Sequence, residues 1–294
     1  MFKYVVNHLN ADLAICTTDN FISNNILFKK ADYKWIMKNP GNFENYYSEH
    51  YKGNWQEYLY KGKGLGLYES GMIHFALKDY IKREYLEILN NYEYIIYSRF
   101  DQYYIDYHPD VNEDNLYIPK GEDYFGVCDR HAVFKSEKAE KFLSIVEYID
   151  TKPALEDLPK YINCESVYKK HLIFIDYLKD VKRFERISFT AAIEDEPTNW
   201  RVPTYKIFLS NNLMIKYPDE FINSLKQKYS KKGYVRYLSE DYPLNLYFLY
   251  TNIRKWFGGI VKKKPNLVCE EHGDFFLSER YKNLKKGCPE CGNQ

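Results

Sequence analysis

The predicted fold depends on Tyr94–Asp101, which reads YIIYSRFD. Its first four residues are β-branched or aromatic, a composition typical of a buried central strand. Arg99 and Asp101 follow directly, and ligands of open α/β sheets bind beyond the carboxyl ends of the strands. A carboxylate there can hold a divalent cation that bridges diphosphate oxygens, and a neighbouring arginine adds a planar phosphate partner. An isolated Arg-x-Asp also fits a surface ion pair at the end of an ordinary strand.

The composition narrows the possible partners. The chain has 294 residues, enough for one large domain or two. Lys and Arg number 42 against 41 Asp and Glu, a net charge of +1, so no overall field attracts the protein to nucleic acid or to an anionic membrane. The 31 tyrosines suit the flat faces of sugar rings and bases. Compositional drift in a genome rich in Lys, Asn and Tyr codons explains them equally well.

Targeting signals are not evident in the sequence. Residues 1–8 lack the long apolar core of a secretory signal, and no apolar run reaches the roughly 18 residues that span a bilayer. The cysteines are either scattered or grouped near the C-terminus, a usage that fits a reducing compartment. We therefore expect a soluble, cytoplasmic protein without a transmembrane segment.

Strand and helix signals alternate along residues 1–180, which predicts an α/β sheet flanked by helices. Besides the strand that begins at Tyr94, strands are predicted over residues 11–17, 115–118 and 124–128. Helices are predicted over residues 1–10, 71–91, 136–149, 163–172 and 219–229. Residues 31–66 lack clean periodicity and are predicted to be irregular with short helices. We divide the chain into a domain of residues 1–217, a helical extension with a basic linker over 218–264, and a small module over 265–294.

The C-terminal module carries a metal-site pattern. Cys269-x2-His272 is followed, after fifteen residues, by Cys288-Pro289-Glu290-Cys291. Two such pairs on tight turns place four ligands within tetrahedral reach of Zn²⁺. Four protein ligands close the site, so we expect a structural zinc, as in a zinc ribbon, that supplies the folding energy of the module.

Two further positions carry candidate chemistry. Asp129-Arg130 follows the predicted strand 124–128, and if that strand lies beside Tyr94–Asp101, Asp129 faces the same crevice as Asp101. It could then bind sugar hydroxyls through charge-assisted hydrogen bonds. Glu165 lies in the first turn of a predicted helix, where a carboxylate is stabilised and can act as a general base. A solvated ion pair and ordinary helix-end charge complementarity are the respective alternatives.

Five short motifs together resemble small glycosyltransferases of the GT-A type, which use nucleotide sugars. They are Glu69–His74, Tyr97–Asp101, Tyr117–Pro119, Gly126-x2-Asp129-Arg130 and Asn163-x-Glu165-Ser166. Such enzymes occur in bacterial polysaccharide clusters and in large DNA viruses. The tail separately resembles Cys/His zinc modules common in large DNA viruses, and a viral source would place the protein in the host cytoplasm.

The resemblance implies a Rossmann-like GT-A sheet, a nucleoside-diphosphate-sugar donor, a glycan or glycoprotein acceptor, and Mn²⁺ or Mg²⁺. By this resemblance Asp101 contacts the metal, Arg99 contacts the diphosphate or donor sugar, and Thr17 contacts the donor. Arg99 stands where the Asp-x-Asp motif of such enzymes has its first acid.

The resemblance also assigns the catalytic groups. Asp129 and Arg130 help to hold donor or acceptor, and Glu165 matches the position where inverting members keep a base, so Glu165 and Asp129 are the expected catalytic pair. The expected function is glycosyl transfer to a hydroxyl of the acceptor, in glycan or polysaccharide synthesis.

Two other functions stay open at this point. A nucleic-acid-binding protein could act through the zinc module and the basic tract Lys262–Lys264, although the neutral overall charge disfavours this. An inactive sugar-binding scaffold would retain the cleft without turnover.

Overall fold

The structure is a computed structural model that divides into two compact units. It describes residues 1–21, 26–64, 66–111, 113–193, 207–208, 213–217, 220–221, 223–225, 267–269 and 273–275. The first unit consists of Met1–Phe100 and Ile105–Arg186, and the second of Asp101–Tyr104 and Ile187–Gln294. No helix among the described residues is both long and apolar enough to cross a membrane.

Residues 220–221 and 223–225 of the second unit are helical, and the other described helices belong to the first unit. They are α1 (Asn7–Leu9), α2 (Ile26–Lys30), α3 (Phe43–His50), α4 (Trp55–Lys61), α5 (Met72–Leu89), α6 (Ala139–Leu143), α7 (Ile145–Ile149), α8 (Lys152–Glu156) and α9 (Cys164–Phe174). Short π-helical turns cover Phe2–Val6 and Leu67–Gly71, and 3₁₀ turns cover Asp19–Phe21, Ser136–Lys138 and Leu178–Asp180. The predicted helices 71–91 and 163–172 are confirmed as α5 and α9, whereas the predicted helix 136–149 is interrupted at Ser144.

The strands occur in both units. In chain order they are β1 (Ala14–Thr18), β2 (Tyr33–Met37), β3 (Tyr94–Ser98), β4 (Gln102–Tyr104), β5 (Leu116–Pro119), β6 (His131–Lys135), β7 (Val181–Phe184), β8 (Ser188–Ile193), β9 (Ile207–Phe208), β10 (Leu213–Ile215), β11 (Leu267–Cys269) and β12 (Gly273–Phe275).

The first unit contains a parallel pair, β1 and β2, and a mixed four-stranded sheet in the order β3-β6-β5-β7. In the mixed sheet β6 runs antiparallel to both β3 and β5, and β7 runs parallel to β5. The predicted α/β class with a mixed sheet and flanking helices is therefore confirmed.

Two strand predictions near the start of the chain need correction. Residues 33–37 are a strand and not an irregular segment: Trp35 and Met37 are buried while Lys34 and Ile36 are exposed, the alternation of a half-buried strand. The strand beginning at Tyr94 is neither central nor fully buried. In the described sheet β3 is an edge strand whose residues are all half-buried.

The predicted strand 124–128 is wrong. Those residues form turns, and the strand that pairs with β3 begins afterwards, at His131. Tyr124 and Phe125 have φ angles of 36° and 70°, which are incompatible with an extended strand. Asp129 and Arg130 therefore precede a strand and do not end one.

The hydrophobic core of the first unit is packed around α5. Met72, Phe75 and Ala76 on this helix are buried, whereas Ile73, which the apolar pattern places on the inner face, is exposed. Asp79 is buried on the same helix and accepts hydrogen bonds from the hydroxyls of Tyr46 (2.7 Å) and Tyr51 (2.5 Å). These bonds compensate the desolvation of its carboxylate.

The second unit contains an antiparallel sheet in the order β4-β8-β10-β9. Phe221 packs beside it, with its ring centroid 5.2 Å from that of Phe189 and 6.4 Å from that of Tyr103. The strands β11 and β12 form a separate antiparallel pair in which Cys269 lies opposite Gly273.

Only one of the four predicted zinc ligands is among the described residues. Cys269 is described only as the last residue of β11, and His272, Cys288 and Cys291 lie outside the described residues. Most of residues 218–294 also lie outside them. The zinc site and the domain boundaries after residues 217 and 264 therefore stay predictions.

Candidate functional site

Asp129 and Arg130 lie beside Arg99 because β6 runs antiparallel to β3. Ser98 pairs with His131, and one residue further the amide of Arg99 donates to the carbonyl oxygen of Arg130 at 3.0 Å. The start of β6 therefore meets the carboxyl end of β3. Arg99 and Asp129 therefore lie close together even though the strand predicted before Asp129 does not exist, whereas the crevice predicted to be shared by Asp129 and Asp101 stays a prediction.

Glu165 is positioned by the capped start of α9. The Asn163 side chain accepts from the amide of Ser166 at 2.8 Å, and the Ser166 hydroxyl accepts from the amide of Asn163 at 3.0 Å, a capping box. The carbonyl oxygen of Glu165 accepts from the amide of Val127 at 3.2 Å. This bond joins the first turn of α9 to the segment that leads into Asp129.

The segment Gly121–Gly126, here the 121–126 loop, has an unusual backbone. Glu122, Tyr124 and Phe125 all have positive φ angles, of 52°, 36° and 70°. Asp123 anchors the loop, since its Oδ1 accepts from the amide of Cys128 at 2.9 Å and from Arg183 at 2.8 Å. The loop thereby brings Glu122 into the interior.

Arg130 is the centre of a buried ion cluster. Its Nε lies 2.9 Å from Glu122 Oε2, and its Nη1 lies 2.9 Å from Glu165 Oε1 and 3.5 Å from Asp129 Oδ1. Glu122 also pairs with Arg186. Arg130 and its three carboxylate partners are all buried, and charges removed from water are tolerated only when they are closely paired. This cluster of Glu122, Asp129, Arg130 and Glu165 is the candidate site.

The two carboxyls predicted to be catalytic have opposite pKa shifts. Burial raises the pKa of Glu165, and the negative charge of Asp129 raises it further, to about 7, although Arg130 opposes both effects. Burial also acts to raise the pKa of Asp129, but Arg130, Arg99, Lys78 and His74 lower it below its usual value. At neutral pH Asp129 is thus charged, while Glu165 exchanges its proton readily. Two neighbouring carboxyls whose pKa values are shifted in opposite directions are typical of acid–base sites.

Lys78 is a member of this region that the sequence analysis missed. Its side chain is only 2% exposed, and its Nζ lies 4.5 Å from the ring centroid of Tyr97, 4.9 Å from that of Tyr168 and 5.3 Å from that of Phe142. Burial lowers the pKa of Lys78 to about 8, against the attraction of Asp129. Cation–π contacts compensate part of the lost hydration.

Lys78 could have been recognised from the sequence, whereas Glu122 could not. Lys78 follows Phe75 by three residues, so it continues the buried stripe of α5 and could have been found by extending that stripe. Glu122 carries no such signal, because only the positive φ of the 121–126 loop turns its side chain towards Arg130.

The remaining predicted site residues, Thr17 and Asp101, lie on other parts of the chain. Thr17 lies on β1, opposite Ile36, and among the described residues no hydrogen bond or ion pair links it to Asp129, Arg130 or Glu165. Asp101 belongs to the second unit, where its Oδ1 accepts from Gln102 Nε2 at 3.3 Å and its carbonyl oxygen accepts from the amide of Ala191 at 2.9 Å.

The predicted Mn²⁺ or Mg²⁺ does not find a complete ligand set in the described part of the chain. No group of three or more His, Cys, Asp or Glu side chains there is arranged to hold a metal ion. The carboxyls of the cluster are engaged with Arg130, and a cation stands where the Asp-x-Asp motif has its first acid.

Comparison of the sequence with models of known protein families, and with curated proteins, found no match.

Proposed function

We propose that the protein is a GT-A-like glycosyltransferase that moves a sugar from a nucleoside-diphosphate sugar to a hydroxyl of a glycan acceptor. The observation that carries the proposal is that Arg130 forms ion pairs with both Glu165 and Asp129 near the carboxyl end of β3. In this arrangement the pKa of Glu165 is about 7. A general base works best when its pKa lies near the working pH.

The charge of the site favours a phosphorylated donor. Lys78, Arg99, Arg130 and Arg186 are four basic groups around the three carboxyls Glu122, Asp129 and Glu165. Basic side chains beside a site favour an anionic ligand, and the planar guanidinium of arginine suits the oxygens of a diphosphate.

In the proposed reaction, Glu165 accepts the proton of the acceptor hydroxyl while the hydroxyl oxygen forms a bond to the anomeric carbon of the donor. The bond between that carbon and the diphosphate oxygen breaks, and the diphosphate leaves with the electron pair. Arg99 stabilises the charge that develops on the leaving group. Asp129 remains ionised and keeps the proton affinity of Glu165 high enough for this exchange.

A donor-hydrolysis screen across UDP- and GDP-sugars, with and without Mn²⁺, tests the proposal. We expect release of UDP or GDP from at least one donor, and isothermal titration should show binding of the same nucleotide. The proposal would be contradicted if no nucleotide sugar were hydrolysed and no nucleotide bound.

Glu165→Gln identifies the catalytic group. We expect it to lower the rate by at least about 100-fold while nucleotide affinity stays nearly unchanged, because only proton transfer is removed. Glu156→Gln is the matched control, since Glu156 lies on α8 with an exposed side chain that pairs only with Lys152 among described residues. Nucleotide binding without any turnover by the wild type would instead indicate a sugar-binding scaffold.

A further inference from the structure

Phe125 is placed unfavourably for stability. Its φ of 70° lies in the left-handed region, which Gly, Asn and Asp tolerate better than an aromatic residue. Its side chain is 56% exposed, so little apolar burial compensates this strain. Residues held in sparsely populated backbone conformations cluster at functional sites.

Phe125 is nevertheless held in one position. Its ring stacks on Tyr161, with centroids 4.1 Å apart and an angle of 27° between the planes. Tyr161 itself is buried, so it supports one side of the Phe125 ring and leaves the rest accessible. The carbonyl oxygen of Tyr124 accepts from Asn163 Nδ2 at 2.8 Å, which ties this part of the 121–126 loop to the cap of α9.

The loop that carries Phe125 packs on the first turn of α9. Gly126, which follows Phe125, packs so tightly on α9 that a Cβ built there would lie 1.9 Å from the carbonyl oxygen of Glu165. The ring of Tyr124 lies 5.9 Å from Cζ of Arg130. A ligand lying on Phe125 is therefore beside the loop that packs on the first turn of α9, the turn that carries Glu165.

We propose that Phe125, supported by Tyr161, is the platform on which a pyranose ring of the acceptor glycan lies. This inference rests on the proposed glycosyl transfer. The apolar C–H face of a pyranose matches a flat aromatic ring, and its rim of hydroxyls matches the polar groups beside it. The acceptor and not the donor occupies the platform, because Glu165 takes its proton from the acceptor.

Binding of oligosaccharides tests the platform directly. Maltotriose, cellotriose and chitotriose are titrated against the full chain, with dissociation constants from NMR shift changes and ring contacts from saturation transfer. Phe125→Ala should weaken the binding of at least one of them about tenfold, and Phe125→Trp should restore it. UDP and GDP affinities should stay unchanged in both variants.

Phe174→Ala is the matched control. Phe174 is 53% exposed at the other end of α9, where its ring lies 5.2 Å from that of Tyr148. It should leave trisaccharide binding unaltered. Because both side chains are exposed, neither variant removes buried core.

The outcomes separate this proposal from the transferase itself. If the wild type binds none of the trisaccharides, or if Phe125→Ala lowers only nucleotide affinity, the platform proposal is overturned, whereas donor hydrolysis dependent on Glu165 still supports glycosyl transfer. If Phe125→Ala and Phe174→Ala weaken binding equally, the platform proposal is also overturned. Trisaccharide binding that depends on Phe125, with no donor hydrolysis by the wild type, supports the platform and contradicts the transferase.

Discussion

Gly126 is the residue whose size is most tightly constrained in the site. A side chain there would meet the carbonyl oxygen of Glu165 at 1.9 Å and the amide nitrogen of Ser166 at 2.4 Å, both of them backbone atoms of α9. Such atoms cannot swing aside as the end of a side chain can. The glycine therefore decides how closely the 121–126 loop approaches the candidate base.

Gly126→Ala should lower the free energy of unfolding by about 3 kcal/mol, because α9 or the loop must shift to admit the methyl group. Urea denaturation followed by circular dichroism measures the change. Gly41→Ala is the control: its φ is 71°, but a Cβ there meets nothing within 4 Å. It should cost only about 1 kcal/mol, from backbone strain alone. Equal losses in the two variants would contradict the close packing.

Lys78→Met should stabilise the fold and impair the site. The folded-state pKa of Lys78, about 8, lies below its ordinary value of 10.5, so the charged form is disfavoured by burial. Replacing a buried ion by an apolar residue of similar volume should raise the free energy of unfolding at about pH 7 by about 1 kcal/mol. Donor turnover should fall, since Asp129 loses one of the cations that keep it ionised.

The pH dependence of this variant distinguishes charge from packing. Between about pH 8 and the ordinary pKa of 10.5 the unfolded state holds the Lys78 proton while the folded state loses it, so wild-type stability rises with pH through this window. The stability of Lys78→Met lacks this rise. The difference in free energy of unfolding between the variant and the wild type should therefore shrink as the pH increases. Lys152→Met, at an exposed position of α8, should show neither effect. An advantage that stays constant with pH would mean that burial of the charge is not its cause.

At the scale of elements, α9 is the helix that the sequence describes best. Asn163 and Glu165 are recognisable as a cap and a first-turn acid, and the structure confirms both. The residues responsible for the cap lie within four positions of one another, so a local sequence pattern is sufficient to predict it.

Asn163→Ala should lower the free energy of unfolding by about 1 kcal/mol and also reduce donor turnover. The Asn163 side chain caps the start of α9. It also holds the 121–126 loop by donating a hydrogen bond to the carbonyl oxygen of Tyr124. Thr151→Ala is the control, because Thr151 caps α8 by accepting from the amide of Ala154 at 3.2 Å. It should cost similar stability with turnover unchanged. If both variants lose turnover alike, the loss reflects general destabilisation and not the loop.

The wrong strand prediction at 124–128 has a physical reason at the same scale. The sequence YFGVC has the aromatic and β-branched composition of a strand. In the structure, ion pairs of Glu122 with Arg130 and of Asp123 with Arg183 hold the loop in a turned conformation. These partners lie up to 60 residues apart, beyond the reach of a local pattern.

At the scale of the whole molecule, the main described core lies in the first unit. Every described residue of the main buried cluster lies between Trp35 and Leu172, within that unit. A fragment of residues 1–186 should therefore fold alone, with one cooperative urea transition and dispersed amide NMR signals. A fragment of residues 1–162, which lacks α9 and β7, should not. A non-cooperative transition in the longer fragment would contradict the independence of this unit.

The zinc prediction also belongs to this scale. We expect one zinc per chain by elemental analysis, and its loss in a Cys288→Ser, Cys291→Ser double variant. Because the predicted ligands Cys269, His272, Cys288 and Cys291 are outside the core of the first unit, chelation should leave the unfolding of that unit unchanged. A chain that purifies without zinc and is indifferent to chelators would contradict the site.

By itself, the sequence determined the α/β class, the long helix α5, the capped start of α9 and the acidic and basic residues around which a site could form. Each of these depends on residues a few positions apart, where periodicity and capping are decided by local sterics and hydrogen bonds. Only the tertiary structure decided that β3 is an edge strand, that Lys78 is buried among three aromatic rings, and that Glu122, Asp129 and Glu165 converge on Arg130. Burial and ion pairing depend on which distant segments pack together, and it is this packing that raises the pKa of Glu165 to about 7.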